Sequence, residues 1–244
     1  MWHAQISSEM RIIDKFRYDF SQSFDVLVEP ERKRFSVYYD ILTERSGFLK
    51  AARSSRWIQD SQQPTDLTDL DPEVFSNYLQ LVYTGKYIHL DANSSSFPEA
   101  TGLVASHPFY PQMMALVKLY VLADKLGDLT SMNLAMDEFI TIHQQSPVIV
   151  PFLLMAWIYK FTPPSSPLRT VVRNIVLFEA DFDFYKDEKT KQLPVELLLD
   201  VLREDSRLKE SNPDKPIAEL YNVPISGVDK CRYHQHDDEH PRCT

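Results

Sequence analysis

The sequence predicts an α+β fold: a small sheet capped by helices, followed by an all-helical C-terminal extension. Three observations predict it. Two short strand-like runs, DVLV at 25–28 and RFSVY at 34–38, stand near the start with a polar Glu-Pro stretch between them. From about residue 111 onward the apolar residues recur at helical spacing. Glycine is scarce at 5 and proline plentiful at 16, which suits helices punctuated by prolines and argues against Gly-rich loops that cradle phosphates.

The elements follow in order. Residues 24–38 predict a β-hairpin. Its Arg32-Lys33-Arg34 lies beside Glu29 and Glu31, so it reads as a solvated hairpin rather than a targeting signal. Asp40 then opens a segment in which Ile41, Leu42, Phe48, Leu49 and Ala52 recur at roughly helical spacing. Gly47 interrupts it, giving either two short helices or one with a loose end. TDLTDL at 65–70 is a candidate third strand. At 71–73 Asp71 can cap, Pro72 suits the first helical position and Glu73 favours the positive helix end. Val74, Phe75, Tyr78, Leu79 and Val82 make one face of this helix, Gly85 ends it, and 86–90 alternates like a strand.

Residues 91–110 are Ser/Pro-rich and aperiodic, an exposed loop. Met113, Leu116, Val117, Tyr120 and Val121 mark the next helix, closed by Gly127. Asp128 caps its successor, with Met132, Met136, Phe139 and Ile140 on one face. The extension begins with an apolar helix at 148–161 and a TPPSSP linker at 162–167. Leu168, Val171, Val172, Ile175 and Val176 follow at clean helical spacing. LPVELLLDVL at 193–202 carries Val195, Leu198, Leu199 and Leu202. The expected organisation is therefore an N-terminal segment 1–23, a domain at 24–142, a helical extension at 143–210, and a polar tail at 211–244. In the first segment Met10, Ile12, Ile13 and Phe16 suggest a short amphipathic helix that packs on this domain or on a second copy.

The bulk numbers narrow the function. With 43% hydrophobic residues in 244, the chain can bury a substantial core. A net charge of −9 opposes nucleic-acid binding, which requires phosphates to be neutralised. The first 20 residues lack a secretory apolar region, and the longest apolar run, 148–159, is too short to span a bilayer. Only two cysteines occur, Cys231 and Cys243, so no disulfide framework holds the body. A cytoplasmic or nuclear location is expected, with no membrane and no nucleic acid as partner. The common hydrolase, zincin, P-loop and Rossmann signatures are missing, no residue presents itself as catalytic, and the chain is expected not to be an enzyme.

Three stretches carry a family resemblance: FDVLV with RFSVYYDILTERSGFLKAA, DPEVFSNYLQLVYTGKY, and LVKLYVLADKLGDLTSMNLAMDEF. Their order and spacing resemble a BTB/POZ domain, of the kind found in many fungal proteins that lack kelch repeats and zinc-finger arrays. The resemblance covers 24–142 well and 143–205 more loosely. It implies a self-associating scaffold or adaptor that binds protein partners, with a homodimer as its common form. A substrate receptor for a cullin-type ubiquitin ligase is the alternative it implies. Family members often carry His where this chain has Tyr38. Those that recruit cullins typically have a hydrophobic–x–Glu pattern ahead of the third strand. Here that region reads RWIQDSQQ, so Trp57, Ile58 and Asp60 are the candidate cullin contacts. An amide at Gln59 or the shorter acid Asp60 stands in for the glutamate, weakening any charge-assisted hydrogen bond.

The sharpest chemical signal is the tail CRYHQHDDEHPRC, which gathers Cys231, His234, His236, His240 and Cys243 within thirteen residues. Zinc favours thiolate and imidazole ligands in a tetrahedron, and Cys231, His234, His236 and Cys243 would close one. His240 is an alternative to either histidine. His234 and His236 are two apart, so an extended or turn conformation is needed for both to reach one ion. The competing expectation is an untethered polar tail. A structural zinc is the one cofactor that the sequence suggests, and with it comes a third functional expectation, a metal-responsive protein whose C-terminal tail closes on zinc. The remaining histidines, His3, His89, His107 and His143, lack acidic or thiol neighbours at helical spacing and read as surface or core residues.

Overall fold

The structure, a computed structural model, describes residues 18–54, 64–68, 70–87, 109–145, 150–179, 193–215, 229–237 and 243. It is mixed α+β, with a three-stranded sheet among the described residues and a predominance of helix. The chain divides into two compact units, Met1–Pro72 and Glu73–Thr244.

In the first unit the expected hairpin forms from β1 (Ser23–Val28) and β2 (Lys33–Tyr38), antiparallel, with Phe24 opposite Val37 and Val26 opposite Phe35. β3 (Thr65–Leu67) pairs in parallel with β1, giving the order β2-β1-β3. Phe24, Val26, Leu27 and Val28 of this strand are all buried, and because successive side chains alternate, both faces of β1 are covered at residues 26–28. The segment opened by Asp40 is two helices, α1 (Tyr39–Arg45) and α2 (Gly47–Ala52). Ser46 makes the break. Its N–H donates to Leu42 O and closes α1, while its hydroxyl accepts from Leu49 N and caps α2. Arg53, at the end of α2, sets its guanidinium 4.8 Å from the centroid of the Phe24 ring, seating this helix on β1.

The second unit is helical. It contains α3 (Pro72–Thr84, from its second residue), α4 (Tyr110–Leu126), α5 (Leu129–Gln145), α6 (Phe152–Phe161), α7 (Pro167–Glu179) and α8 (Val195–Ser211). α4 is buried on nearly every face and forms the centre of the core. Gly127 closes it in the left-handed region (φ 66), which glycine adopts without a Cβ clash. Asp128 caps α5 by accepting from Ser131 N at 2.9 Å, and its other oxygen accepts from the hydroxyls of Ser131 and Tyr78. A buried carboxylate thus ties α3 to the α4–α5 hairpin. α6 starts after Pro151, inside the apolar run, because proline supplies the first turn but cannot continue a helix. Every expected core position of α7, from Leu168 to Val176, is buried.

Two expectations need correction. In α8 the residues that face the core are Leu197, Val201 and Glu204, whereas Val195, Leu198, Leu199 and Leu202 are 67%, 43%, 44% and 61% exposed. The segment carries two apolar faces, and the narrower one was taken by the body. The strand expected at 86–90 does not begin at Lys86, which continues a bend after α3, or at Tyr87, which takes no regular structure; the rest of it lies outside the described residues. No helix among the described residues is long and apolar enough to cross a membrane.

Candidate metal centre

The C-terminal segment docks on the helical unit through a short 3₁₀ turn, Lys230–Tyr233. Asp229 starts the turn, its carboxylate accepting from Cys231 N at 3.0 Å. Tyr233 is the anchor. It is 2% exposed, and its hydroxyl accepts from the buried Asn174 amide of α7 at 3.0 Å.

One face of α5 receives the rest of the segment. Asn133, Asp137 and Thr141 recur every fourth residue and so stand one above another. Lys230 Nζ donates to Thr141 Oγ1 at 2.9 Å and to Asp137 O at 3.4 Å. His234 Nε2 lies 3.0 Å from Asp137 Oδ1. Asn133 holds the backbone of Gln235 from both sides, donating to its carbonyl at 2.9 Å and accepting from its N–H at 3.0 Å. On the other flank Glu204 of α8 is bound by Arg207, and Arg173 of α7 lies 3.5 Å away. The hydrogen bond from Arg207 holds the Glu204 carboxyl below its ordinary value, with the charges of Arg173, Arg207 and Arg232 acting in the same direction against the cost of burial. The expectation of an untethered tail therefore does not hold for residues 229–237.

This docking gathers the cluster. After the turn the backbone extends, with His234 at φ −84 and ψ 153, so residues two apart face the same side. The His234 and His236 rings accordingly stand 5.9 Å apart, centroid to centroid. Cys231 Sγ is 3.2 Å from His236 Nε2, and His234 Nδ1 is 3.1 Å from Cys243 Sγ. The candidate ligand atoms of Cys231, His236 and Cys243 all lie within 4.8 Å of one another. In a zinc tetrahedron with the usual bond lengths, sulfur and nitrogen ligands stand about 3.6 Å apart. The two observed pairs stand within a few tenths of an ångström of that spacing, and the wider separations in the group, within 4.8 Å, would close around an ion. The neighbouring Cys231 thiol pushes the Cys243 thiol above its ordinary value, chiefly through a hydrogen bond.

The structure thus brings together Cys231, His236 and Cys243 as a group at metal-binding distance, with His234 bonded to Cys243. His240 and the candidate cullin contacts Trp57, Ile58 and Asp60 lie outside the described residues, as do His3, His89 and His107. His143 belongs to the core, 2% exposed, with Nε2 2.6 Å from Glu179 Oε2. Tyr233, Asn174 and the Asn133–Asp137–Thr141 row escaped the reading of the sequence. The row had one visible signal, a polar residue every fourth position along a helix otherwise made for the core.

No family model matches this chain, and no curated protein matches it.

Proposed function

We propose that this chain is a non-catalytic protein-interaction module whose C-terminal segment is closed onto its helical body by a structural zinc ion held by Cys231, His234, His236 and Cys243. The observation that carries it is the convergence of both cysteines of the chain with the His236 imidazole, on a segment held in place by a buried tyrosine, with the His234 ring against Cys243 as the candidate fourth ligand. Two thiolates balance the charge of Zn²⁺, and two imidazoles complete its preferred tetrahedron. Four protein ligands leave no open position for a substrate or an activated water, so the role is structural. The order of hairpin, helix pair, third strand, helix and helical hairpin supports the BTB/POZ-like resemblance, and with it a scaffold or adaptor role. A substrate receptor for a cullin-type ligase remains the variant of that role which would use Trp57, Ile58 and Asp60.

Metal content of the purified chain tests the proposal. About one zinc per chain is expected at neutral pH, falling to near zero in Cys231→Ser. Protein that carries no zinc and takes up none on titration overturns it. A product that instead lacks free thiols identifies a Cys231–Cys243 disulfide as the tail's link.

A second reading, self-association, is favoured by the exposed row Val195, Leu198, Leu199 and Leu202 on α8. The occupant we propose is a second copy of the same helix, packed antiparallel. Paired about Leu199, such helices would set Glu196 of one copy beside Arg203 of the other, the self-complementarity that a twofold contact requires. Sedimentation should show a concentration-dependent dimer that Leu199→Glu abolishes. A monomer at all concentrations would remove this reading.

A further inference from the structure

We infer that Asp137 of α5 is a positioning residue for the metal centre, and that through it zinc binding and docking of the C-terminal segment form one coupled equilibrium. This rests on the zinc-closed reading of the cluster. His234 is bonded at both ring nitrogens: Nε2 to Asp137 Oδ1 at 3.0 Å and Nδ1 to Cys243 Sγ at 3.1 Å. A neutral imidazole has one N–H and one lone pair. A carboxylate accepts only, so Asp137 selects the tautomer with the proton on Nε2. That leaves the Nδ1 lone pair facing the cysteine side of the cluster, where an ion would sit. A carboxylate behind a metal-bound histidine also makes the imidazole a stronger donor and fixes its ring plane. Asp137 is suited to this on a helix whose own geometry is set by the core, with Met136, Phe139 and Ile140 buried beside it.

The same helix face holds the segment by contacts that touch no ligand side chain. Asn133 grips the Gln235 backbone between the two histidines, and Thr141 receives Lys230, the residue before Cys231. Whatever loosens that grip spreads the ligands, and whatever binds the ligands tightens the grip. The two effects must be equal in size, because coupling between two equilibria is reciprocal.

The full-length protein, loaded with Zn²⁺ or with Co²⁺ as its spectroscopic substitute, provides the test. Asp137→Ala should weaken zinc about 10–100-fold in competition with a chelator, the usual effect of removing such a partner. It should also shift the cobalt d–d bands, because the His234 ring is released. Asp137→Asn, whose side-chain oxygen still accepts, should fall between the variant and the parent. Asn133→Ala should weaken zinc without altering the cobalt spectrum. In the parent protein, zinc should slow amide exchange at Gln235. If Asp137→Ala keeps zinc affinity within about twofold, or weakens it no more than Asn133→Ala with an unchanged spectrum, Asp137 has no positioning role while the zinc centre stands. If the parent protein binds neither metal, the zinc centre itself is absent. Both Asp137 variants keep their core, since the Asp137 side chain is 36% exposed.

Discussion

Removing the Tyr233 side chain should free the C-terminal segment while leaving the helical body intact. The side chain is 2% exposed, so its ring is almost wholly withdrawn from water. A buried aromatic removes about 150–250 Å² from solvent, and at about 25 cal/mol per Å² that amounts to roughly 4–6 kcal/mol as an upper bound. Measured aromatic-to-alanine truncations cluster at about 3–5 kcal/mol, which is the figure expected for Tyr233→Ala. Tyr233→Phe keeps the ring and removes the acceptor for Asn174, which is itself 1% exposed. An unsatisfied buried amide of this kind costs about 1–3 kcal/mol. Since about 1.4 kcal/mol is a tenfold change, alanine should weaken docking by at least about a hundredfold and phenylalanine by about five- to a hundredfold. Hydrogen exchange at Gln235 N, which donates to Asn133 Oδ1, reports docking directly. Its protection should collapse in Tyr233→Ala, fall partly in Tyr233→Phe, and leave the amides of α4 unchanged. Protection at Gln235 within threefold of the parent in Tyr233→Ala would refute the anchoring role.

Two further substitutions probe how the helices hold together. Arg169 of α7 is 9% exposed, donates to Tyr159 O, Thr162 O and Thr162 Oγ1, and lies over the Tyr159 ring, so it satisfies the carbonyls left open where α6 ends. Arg169→Met should cost about 2–4 kcal/mol, read as a lower urea midpoint with unchanged slope; a midpoint equal to the parent's would show that water serves those carbonyls as well. Glu204 has a depressed carboxyl value when folded. Its contribution is fully present above the unfolded glutamate value of about 4.3 and is lost as pH falls through the lower folded value. The parent should therefore lose more stability between pH 5 and pH 3 than Glu204→Gln does, and parallel pH profiles would contradict the ion-pair assignment.

Much of the fold was legible because local patterns and burial agreed. The two runs at 25–28 and 34–38 formed the hairpin, and the i, i+3, i+4 spacing in α4, α5 and α7 pointed at the residues that became buried. Gly127 and Asp128 announced the turn between α4 and α5, since left-handed backbone and cap acceptance are both residue-specific. α8 was misread for a physical reason. In LPVELLLDVL nearly every position is apolar, so periodicity offers two faces and only the body's shape chooses between them. The ligands of the candidate centre were readable because they are close in sequence. Their supports were not, because Asp137 and Asn133 lie 97 and 102 residues before the groups they hold.

Those separations also set an order of events during synthesis. Lys230, His234 and Gln235 meet α5 across 89, 97 and 102 residues. At the usual pace of about 5–20 residues per second, a ribosome needs roughly 5–20 seconds between completing α5 and delivering its partner segment. Throughout that interval Asn133, Asp137 and Thr141 face water on a helix that is otherwise ready to pack. A row of hydrophilic side chains is what such a waiting surface requires: it stays solvated without attracting other nascent chains, and it admits its own late-arriving segment through hydrogen bonds that water can hold in the meantime.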